Sequence, residues 1–376
     1  MDRIKIVVWD NIGNTLLGVR PWSSWSPSIQ RWLIEEDPDA EVHAPSFAQL
    51  FAGHDVELHW FLGEMSGPGI FGSLADDFSH AVHELTDIHQ LTGAIADADY
   101  VVIHKQTLPA GAVLGARRLR LLQHLGQDYR GVPMPAARER GIPVAATPLV
   151  NYIAVAEHVW ALILNHLKRL HVLRGHIQAK TYGADWSAIP HIGLARDKSL
   201  GLLGFGEIAR PIARIARAFE MPVISWDIAR FPELEEEYDV TYVEWDEIFR
   251  QSDILSVQLA LNERTAGIIG AREIGLMRPD ALFINTARGK LVDQAALTGA
   301  LRSGCLGGAA LDVFVDEPLP YDDPLHALHE RPDGQVTLTP HIGWQSPWTW
   351  VRDSHEIWHN VLRSLRGEPV QHLVSD

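Results

Sequence analysis

The residues of this chain best spaced for chemistry lie in Lys198-Ser-Leu-Gly-Leu-Leu-Gly-Phe-Gly-Glu-Ile-Ala-Arg210 and its continuation to Asp227. Gly204, Gly206 and Ala209 fit G-x-G-x-x-G/A. The apolar run 199–203 before them has the look of a buried strand. Ile208, Ile212, Ile215, Ala216 and Phe219 after them recur at helical spacing. A second apolar run, 222–226, ends in Asp227, about twenty residues past the glycines. Gly204 allows a tight turn, Gly206 lets the backbone approach a pyrophosphate, and Ala209 still lets helix and strand pack closely. The free N–H groups and dipole of the helix N-terminus favour phosphate charge. Glycines alone would equally suit a structural βαβ unit; strand, turn, helix, second strand and acid together point to a dinucleotide. Asp227 would accept hydrogen bonds from ribose hydroxyls and repel a 2′-phosphate, which favours NAD over NADP. Arg230, three residues on, works slightly against that preference.

In open α/β sheets, ligands bind outside the carboxyl ends of the strands. Thr286-Ala-Arg288-Gly follows an expected strand at 281–285, Asp316-Glu317-Pro one at 309–313, and Pro340-His341-Ile-Gly one at 336–339. An arginine, a glutamate and a histidine thus project from strand ends towards one crevice. Taken singly they have ordinary explanations: Arg288 and Glu317 could form a structural ion pair, and His341 is one of 19 histidines.

The elements that must hold these groups read as an α/β protein. The 376 residues, 46% hydrophobic, suffice for two domains rather than one. Expected strands at 4–9, 56–61, 100–104, 119–124 and 144–146 alternate with helical patterns near 27–33 and 135–140, which implies a parallel sheet. Residues 151–177 read as one long buried helix, 179–198 as a connector, and 356–365 as a last helix. Segment 44–95 has no assignable role, and Asp77 and His80 read as a polar helix face rather than metal ligands. The net charge of −16 argues against nucleic acid or an anionic membrane as partner. A single cysteine, Cys305, excludes an internal disulfide and a cysteine metal cluster, and no metal site is expected. The chain opens on a strand pattern rather than a signal peptide, and no apolar run reaches membrane-spanning length, so a soluble, cytoplasmic protein is expected.

Five ordered segments resemble the D-isomer-specific 2-hydroxyacid dehydrogenase family: Val150-Asn-Tyr-Ile-Ala-Val-Ala-Glu-His158, the glycine loop 201–209, Phe283-Ile-Asn-Thr-Ala-Arg-Gly-Lys-Leu-Val-Asp293, Ala310-Leu-Asp-Val-Phe-Val-Asp-Glu-Pro318 and Thr339-Pro-His-Ile-Gly343. The likeness covers residues 95–370. It implies two Rossmann-like or flavodoxin-like parallel-sheet domains around a cleft, usually paired as a homodimer. The substrate domain would take 1–150 and 342–376, and the NAD-binding domain 151–341, with 151–198 as linking helix and connector.

By the same resemblance the partner is a small 2-oxo or 2-hydroxy acid. Arg288 would hold it through carboxylate and carbonyl oxygens. His341 would protonate the carbonyl oxygen as hydride arrives from the nicotinamide, and Glu317 would fix the imidazole tautomer and favour its charged form. Phe205, Glu207 and Ile208 complete the phosphate turn. Leu259, Ala260 and Thr265 form a further cofactor loop, Thr286 and Ala287 line the ring pocket, Asp312 contacts the nicotinamide amide, and Gly343 follows the histidine. Lys105, Gln127 and Asn151 would meet the substrate from the first domain's side.

Departures from the pattern are local. The family's usual His and Pro are replaced near Gln258 and Ala260, its Gly-x-Gly-x-Asp is shortened to Leu125-Gly-Gln-Asp128, and Pro211 falls in the first helical turn. Trp344, Trp348 and Trp350 could wall the pocket against a bulky or apolar substrate side chain, but read rather as packing the last helix onto the first domain. Two other readings stay open: an NAD(H)-sensing, corepressor-like binding protein, and a formate or phosphite dehydrogenase. Glu317 argues against formate, whose enzymes typically carry glutamine there.

Overall fold

A computed structural model describes residues 3–10, 51–62, 79–104, 107–126, 129–148, 151–181 and 192–374. The chain divides into two compact units, Met1–Val150 with Ser346–Asp376, and Asn151–Gln345.

In the first unit, six parallel strands are ordered β3-β2-β1-β4-β5-β6. They are β1 (Ile4–Asp10), β2 (Val56–Leu62), β3 (Ser79–Glu84), β4 (Tyr100–Ile103), β5 (Leu121–His124) and β6 (Val144–Ala146). Alternation sets the two faces. Ile4, Ile6 and Val8 join one core with Tyr100 and Val102, while Val7 and Trp9 join the other with Val101 and Ile103. Strands buried on both faces need apolar residues at every position, which explains their unbroken hydrophobic runs. Helices α1 (Ile88–Ile95), α2 (Ala110–Gly115) and α3 (Met134–Glu139) cover the second face.

The second unit has seven parallel strands ordered β13-β12-β11-β10-β7-β8-β9. They are β7 (Leu200–Leu203), β8 (Val223–Trp226), β9 (Thr241–Tyr242), β10 (Ile254–Val257), β11 (Leu282–Asn285), β12 (Gly308–Leu311) and β13 (Val336–Leu338). The order reverses between β7 and β10, so the crevice of a doubly wound sheet opens at their carboxyl ends. Helices α4 (Tyr152–Lys168) and α6 (Ala209–Ala218) pack on one face, separated in sequence by α5 (Leu170–Gln178). Beyond α7 (Pro232–Tyr238), the opposite face is covered by α8 (Trp245–Gln251), α9 (Ala271–Ile274), α10 (Gln294–Ser303) and α11 (Pro324–His329).

The last helix, α12 (Pro347–Arg366), returns to the first unit, where Ile357, Trp358, Val361 and Leu362 fill its sheet core. Buried Asn360 ties it there, donating to Gln123 Oε1 at 3.0 Å and accepting from the Gln371 amide at 2.9 Å.

Two expectations need correction. The single helix over 151–177 is two, broken at Arg169, whose φ of 53° is left-handed. Burial of the helix ends at that point, and α5 buries no residue. Segment 79–84 is a strand paired with β2, not a helix face. There His83 stacks on Phe61, 4.6 Å between centroids, and meets His59 at 3.0 Å, contacts that the period-two spacing of neighbouring strands provides. Asp77, and the helix expected near 27–33, lie outside the described residues. Strand β9, of two residues, is too short to show a pattern of its own.

Candidate active site

The glycine turn sits at the end of β7. Gly204 has a φ of 94°, and a Cβ there would lie 2.8 Å from the Gln258 carbonyl oxygen, so both backbone conformation and contact demand glycine. A Cβ on exposed Gly206 would meet nothing within 4 Å. This bare backbone at the start of α6 is a cradle that fits a pyrophosphate. Phe205 turns its ring into the core, edge-on to Tyr238, and offers only backbone to the turn; Glu207 is exposed. The Phe205 amide donates to Asp227 Oδ2 at 2.6 Å, which ties the acid at the end of β8 to the turn itself. Pro211 is the third residue of α6, where its missing N–H leaves no helical bond unmade.

Beyond β10, Thr265 is fully buried, and its hydroxyl donates to the Ala260 carbonyl and accepts from the Asn262 amide. It therefore holds the loop containing Leu259 and Ala260 together. Gln258 donates to the Ser256 and Thr286 hydroxyls, at 2.9 and 3.2 Å.

The three charged candidates stand beyond neighbouring strands: Asn285 of β11 pairs with Leu311 of β12, and Leu311 with Leu338 of β13. Arg288 leaves three residues past Asn285, Glu317 six past Leu311 and His341 three past Leu338. Asn285 shapes the first loop through both amide atoms, accepting from the Ala287 N–H and donating to the Arg288 carbonyl, each at 3.0 Å. Arg288 Nη1 donates to the Ala287 carbonyl at 2.7 Å. A Cβ on Gly289 would fall 1.9 Å from the Phe314 carbonyl carbon. Only glycine lets the loop bearing Arg288 touch the segment that leads to Glu317.

His341 Nδ1 lies 2.6 Å from Glu317 Oε2, and Glu317 Oε1 accepts from the Phe314 amide at 3.0 Å. With Nδ1–H donated to the carboxylate, Nε2 is the nitrogen left to work. The backbone of His341 is left-handed, with φ 53°, an uncommon state for a residue with a Cβ. Its neighbours over-determine that state. Trp344 Nε1 donates to the His341 carbonyl at 2.9 Å, while the Ile342 and Gly343 amides donate to the two oxygens of Asp312 at 3.0 and 2.9 Å. Trp344 thus braces the histidine turn, a role not read from its position before the last helix; the side chains of Trp348 and Trp350 are outside the description.

Asp312 is only 2% exposed. Burial pushes its carboxyl up, but hydrogen bonds from His158, Thr339 and the two amides outweigh this and hold it below the ordinary carboxylate range. Thr339 Oγ1 donates to Asp312 Oδ1 at 2.6 Å, so His158 Nε2, 3.1 Å from that hydroxyl, must be its donor. His158 and Thr339 lie inside the quoted segments, yet nothing in their spacing marked them as partners. Asn151 precedes α4 without capping it, and its buried Oδ1 has no hydrogen-bond partner among the described residues. Lys105 and Gln127 lie outside the described residues.

Residues 160–343 match the model for D-isomer specific 2-hydroxyacid dehydrogenase, NAD binding domain. A glyoxylate reductase of Korarchaeum cryptofilum is 31% identical over 283 residues, spanning 75% of this chain and 84% of its own. The chain belongs to the D-isomer-specific 2-hydroxyacid dehydrogenase family. A hydroxypyruvate reductase of Blautia hydrogenotrophica is 31% identical over 76% of this chain and 88% of its own. The solved glyoxylate reductase from Paecilomyes thermophila shares the fold, with a TM-score of 0.70, 24% identity and coverage of 100% and 99% of the two chains. As a member of this dehydrogenase family, the protein is an NAD-dependent oxidoreductase that interconverts 2-oxo and 2-hydroxy acids. No helix among the described residues is long and apolar enough to cross a membrane.

Proposed function

We propose that the chain reduces a small 2-oxo acid of the glyoxylate or hydroxypyruvate type to the D-2-hydroxy acid, and runs the reverse oxidation, with His341 as general acid and base. The carrying observation is the His341–Glu317 contact on a strained turn. The bound nicotinamide supplies or accepts the hydride. His341 Nε2 gives a proton to the carbonyl oxygen during reduction and takes it back during oxidation. Glu317 fixes the ring through a charge-assisted bond to Nδ1. Arg288 presents a planar fork to the substrate carboxylate and carbonyl. Asp312 holds the His341 turn in place, and contact with the nicotinamide amide falls to it and to the Thr286–Ala287 loop. The turn at Gly204–Ile208 takes the pyrophosphate, and Asp227 the adenosine ribose.

The reading includes a homodimer, which the exposed apolar residues Leu170, Ile177, Ile192 and Leu194 favour, and a cytoplasmic location, in keeping with a single cysteine. Light scattering should then give twice the 41.9 kDa chain mass.

The test is NADH oxidation with glyoxylate, hydroxypyruvate and bulkier 2-oxo acids, beside His341→Ala. Turnover on the small acids is expected, with kcat lowered roughly 10²- to 10⁴-fold in the variant. Unchanged turnover in the variant removes His341 from the chemistry. No turnover on any 2-oxo acid, with assembly that depends on NADH, favours a sensor instead.

A further inference from the structure

Past Asp227, the chain carries a cation whose position invites a question about cofactor choice. Arg230 lies three residues beyond Asp227, in the loop that follows β8. A free guanidinium there would attract a 2′-phosphate. In this structure it is not free. Arg230 Nε reaches both carboxylate oxygens of Glu235, at 3.1 and 3.2 Å, and Nη2 reaches Oε2 at 2.9 Å. The guanidinium also lies over the Tyr242 ring, 4.9 Å from its centroid. Each partner is fixed by the fold. Glu235 stands in the first turn of α7, its amide bonded to the Phe231 carbonyl, and Tyr242 pairs with Ser225 across β8 and β9.

The pair is unequal in exposure. The Glu235 side chain keeps 11% of its surface, while Arg230 keeps 59%. Most surface ion pairs contribute little, but a two-pronged arginine–carboxylate contact with one partner largely shielded from water is the geometry that does hold a side chain. Two effects follow for a 2′-phosphate. The positive charge is cancelled locally, and one edge of the guanidinium fork is already occupied. Asp227, itself anchored to the turn through Phe205, adds a repelling charge.

We infer that Glu235 is a cofactor-specificity residue: by holding Arg230 against Tyr242 it withholds a cation that could recognise a 2′-phosphate, and so reinforces the exclusion of NADP that Asp227 begins. The inference rests on the proposed placement of the adenosine half at Gly204–Asp227 and adds a second, independent lock to it. It also turns an apparent contradiction, an arginine beside an NAD-selecting acid, into a consequence of the next helix.

The probes are adenosine fragments, which report the site without catalysis. The affinities of 5′-ADP and 2′,5′-ADP are measured by titration calorimetry for the wild type, Glu235→Gln, Arg230→Ala and the double variant. In Glu235→Gln the ratio of affinities should move towards 2′,5′-ADP by roughly threefold to tenfold. The shift should vanish in the double variant. An unchanged ratio in Glu235→Gln overturns the lock. So does a shift that survives without Arg230, since it then reflects only the loss of a nearby negative charge. If 5′-ADP does not bind the wild type, the placement of the cofactor itself fails and the lock falls with it. Glu235→Asp, which keeps the charge on a shorter side chain, should shift the ratio less than Glu235→Gln.

Discussion

The two halves of the cofactor-domain sheet build their sites from different materials. Around β7 and β8 the working surface is backbone: a left-handed glycine, a bare second glycine and amides at a helix start. Around β11, β12 and β13 it is side chains, and each is held by another that comes from far along the chain. His341 depends on Glu317, its turn on Asp312, and Asp312 on Thr339 and His158. A backbone site needs only a local sequence and tolerates any outward side chain. A side-chain site needs long-range contacts, because a buried carboxylate without donors is far more costly than no carboxylate at all.

This contrast separates two variants sharply. His341→Ala should keep NADH affinity within about twofold while kcat collapses on the scale of general acid catalysis. Gly204→Ala should do the opposite in kind. A Cβ 2.8 Å from the Gln258 carbonyl, on a residue with φ 94°, must displace the turn. A loss of roughly tenfold or more in NADH affinity is expected, with destabilisation of about 3 kcal/mol. Fluorescence titration with NADH and urea unfolding read both. If Gly204→Ala binds NADH normally, the turn is not the phosphate cradle.

A second pair of measurements bears on the side-chain half alone. Asp312→Ala leaves the Thr339 hydroxyl and two backbone amides without their acceptor, in a place with almost no access to water. The chain should lose about 3 kcal/mol of stability, with kcat falling more than KM as the histidine turn relaxes. Thr339→Val removes one donor to Asp312 and the acceptor of His158 but leaves both amide bonds to the carboxylate, and should cost less, about 1 kcal/mol. Equal effects from the two would mean that Asp312 has no special hold on the turn.

The same division governs what could be read beforehand. The α/β class and the parallel strands were legible because each leaves its mark within a few residues. The glycine turn and Asp227 span fewer than thirty positions, and their spacing carries the chemistry. His158 and Thr339 are 181 residues apart, and a hydrogen bond across that distance has no period to detect. Gly289 looked like part of a loop motif, yet its requirement comes from the carbonyl of Phe314 on another loop. The Arg169 break was hidden for a different reason: apolar residues continue past it at helical spacing, and only their exposure shows that the buried face has ended. Strand β3 was masked by histidines, which suit a polar helix surface as well as a sheet where they can stack in pairs.

Helix α4 crosses beneath both halves and carries the contrast into the core. Its Trp160 meets α6 under the nucleotide half, donating to the Ile212 carbonyl at 3.2 Å and stacking on Phe219. Its far end is polar: Asn165 donates to Thr337 of β13, and the His166 ring lies against Gly308 of β12, so close that a Cβ there would come within 2.7 Å of it. Burial, with Arg169, His171 and Lys198 nearby, pushes the His166 pKa down to about 4. The sign of the consequence is fixed. Between pH 6.5 and 4 the unfolded chain binds this proton and the folded chain does not, so stability is complete above pH 6.5 and drains away as pH falls towards 4. At pH 5 the loss from this one ring should be roughly 2 kcal/mol. Urea midpoints at pH 7 and pH 5, compared between the wild type and His166→Gln, isolate it: the variant should show the shallower dependence. Parallel pH profiles would mean that the ring is hydrated in solution, and the acid sensitivity would then have to be sought elsewhere than beneath β12 and β13.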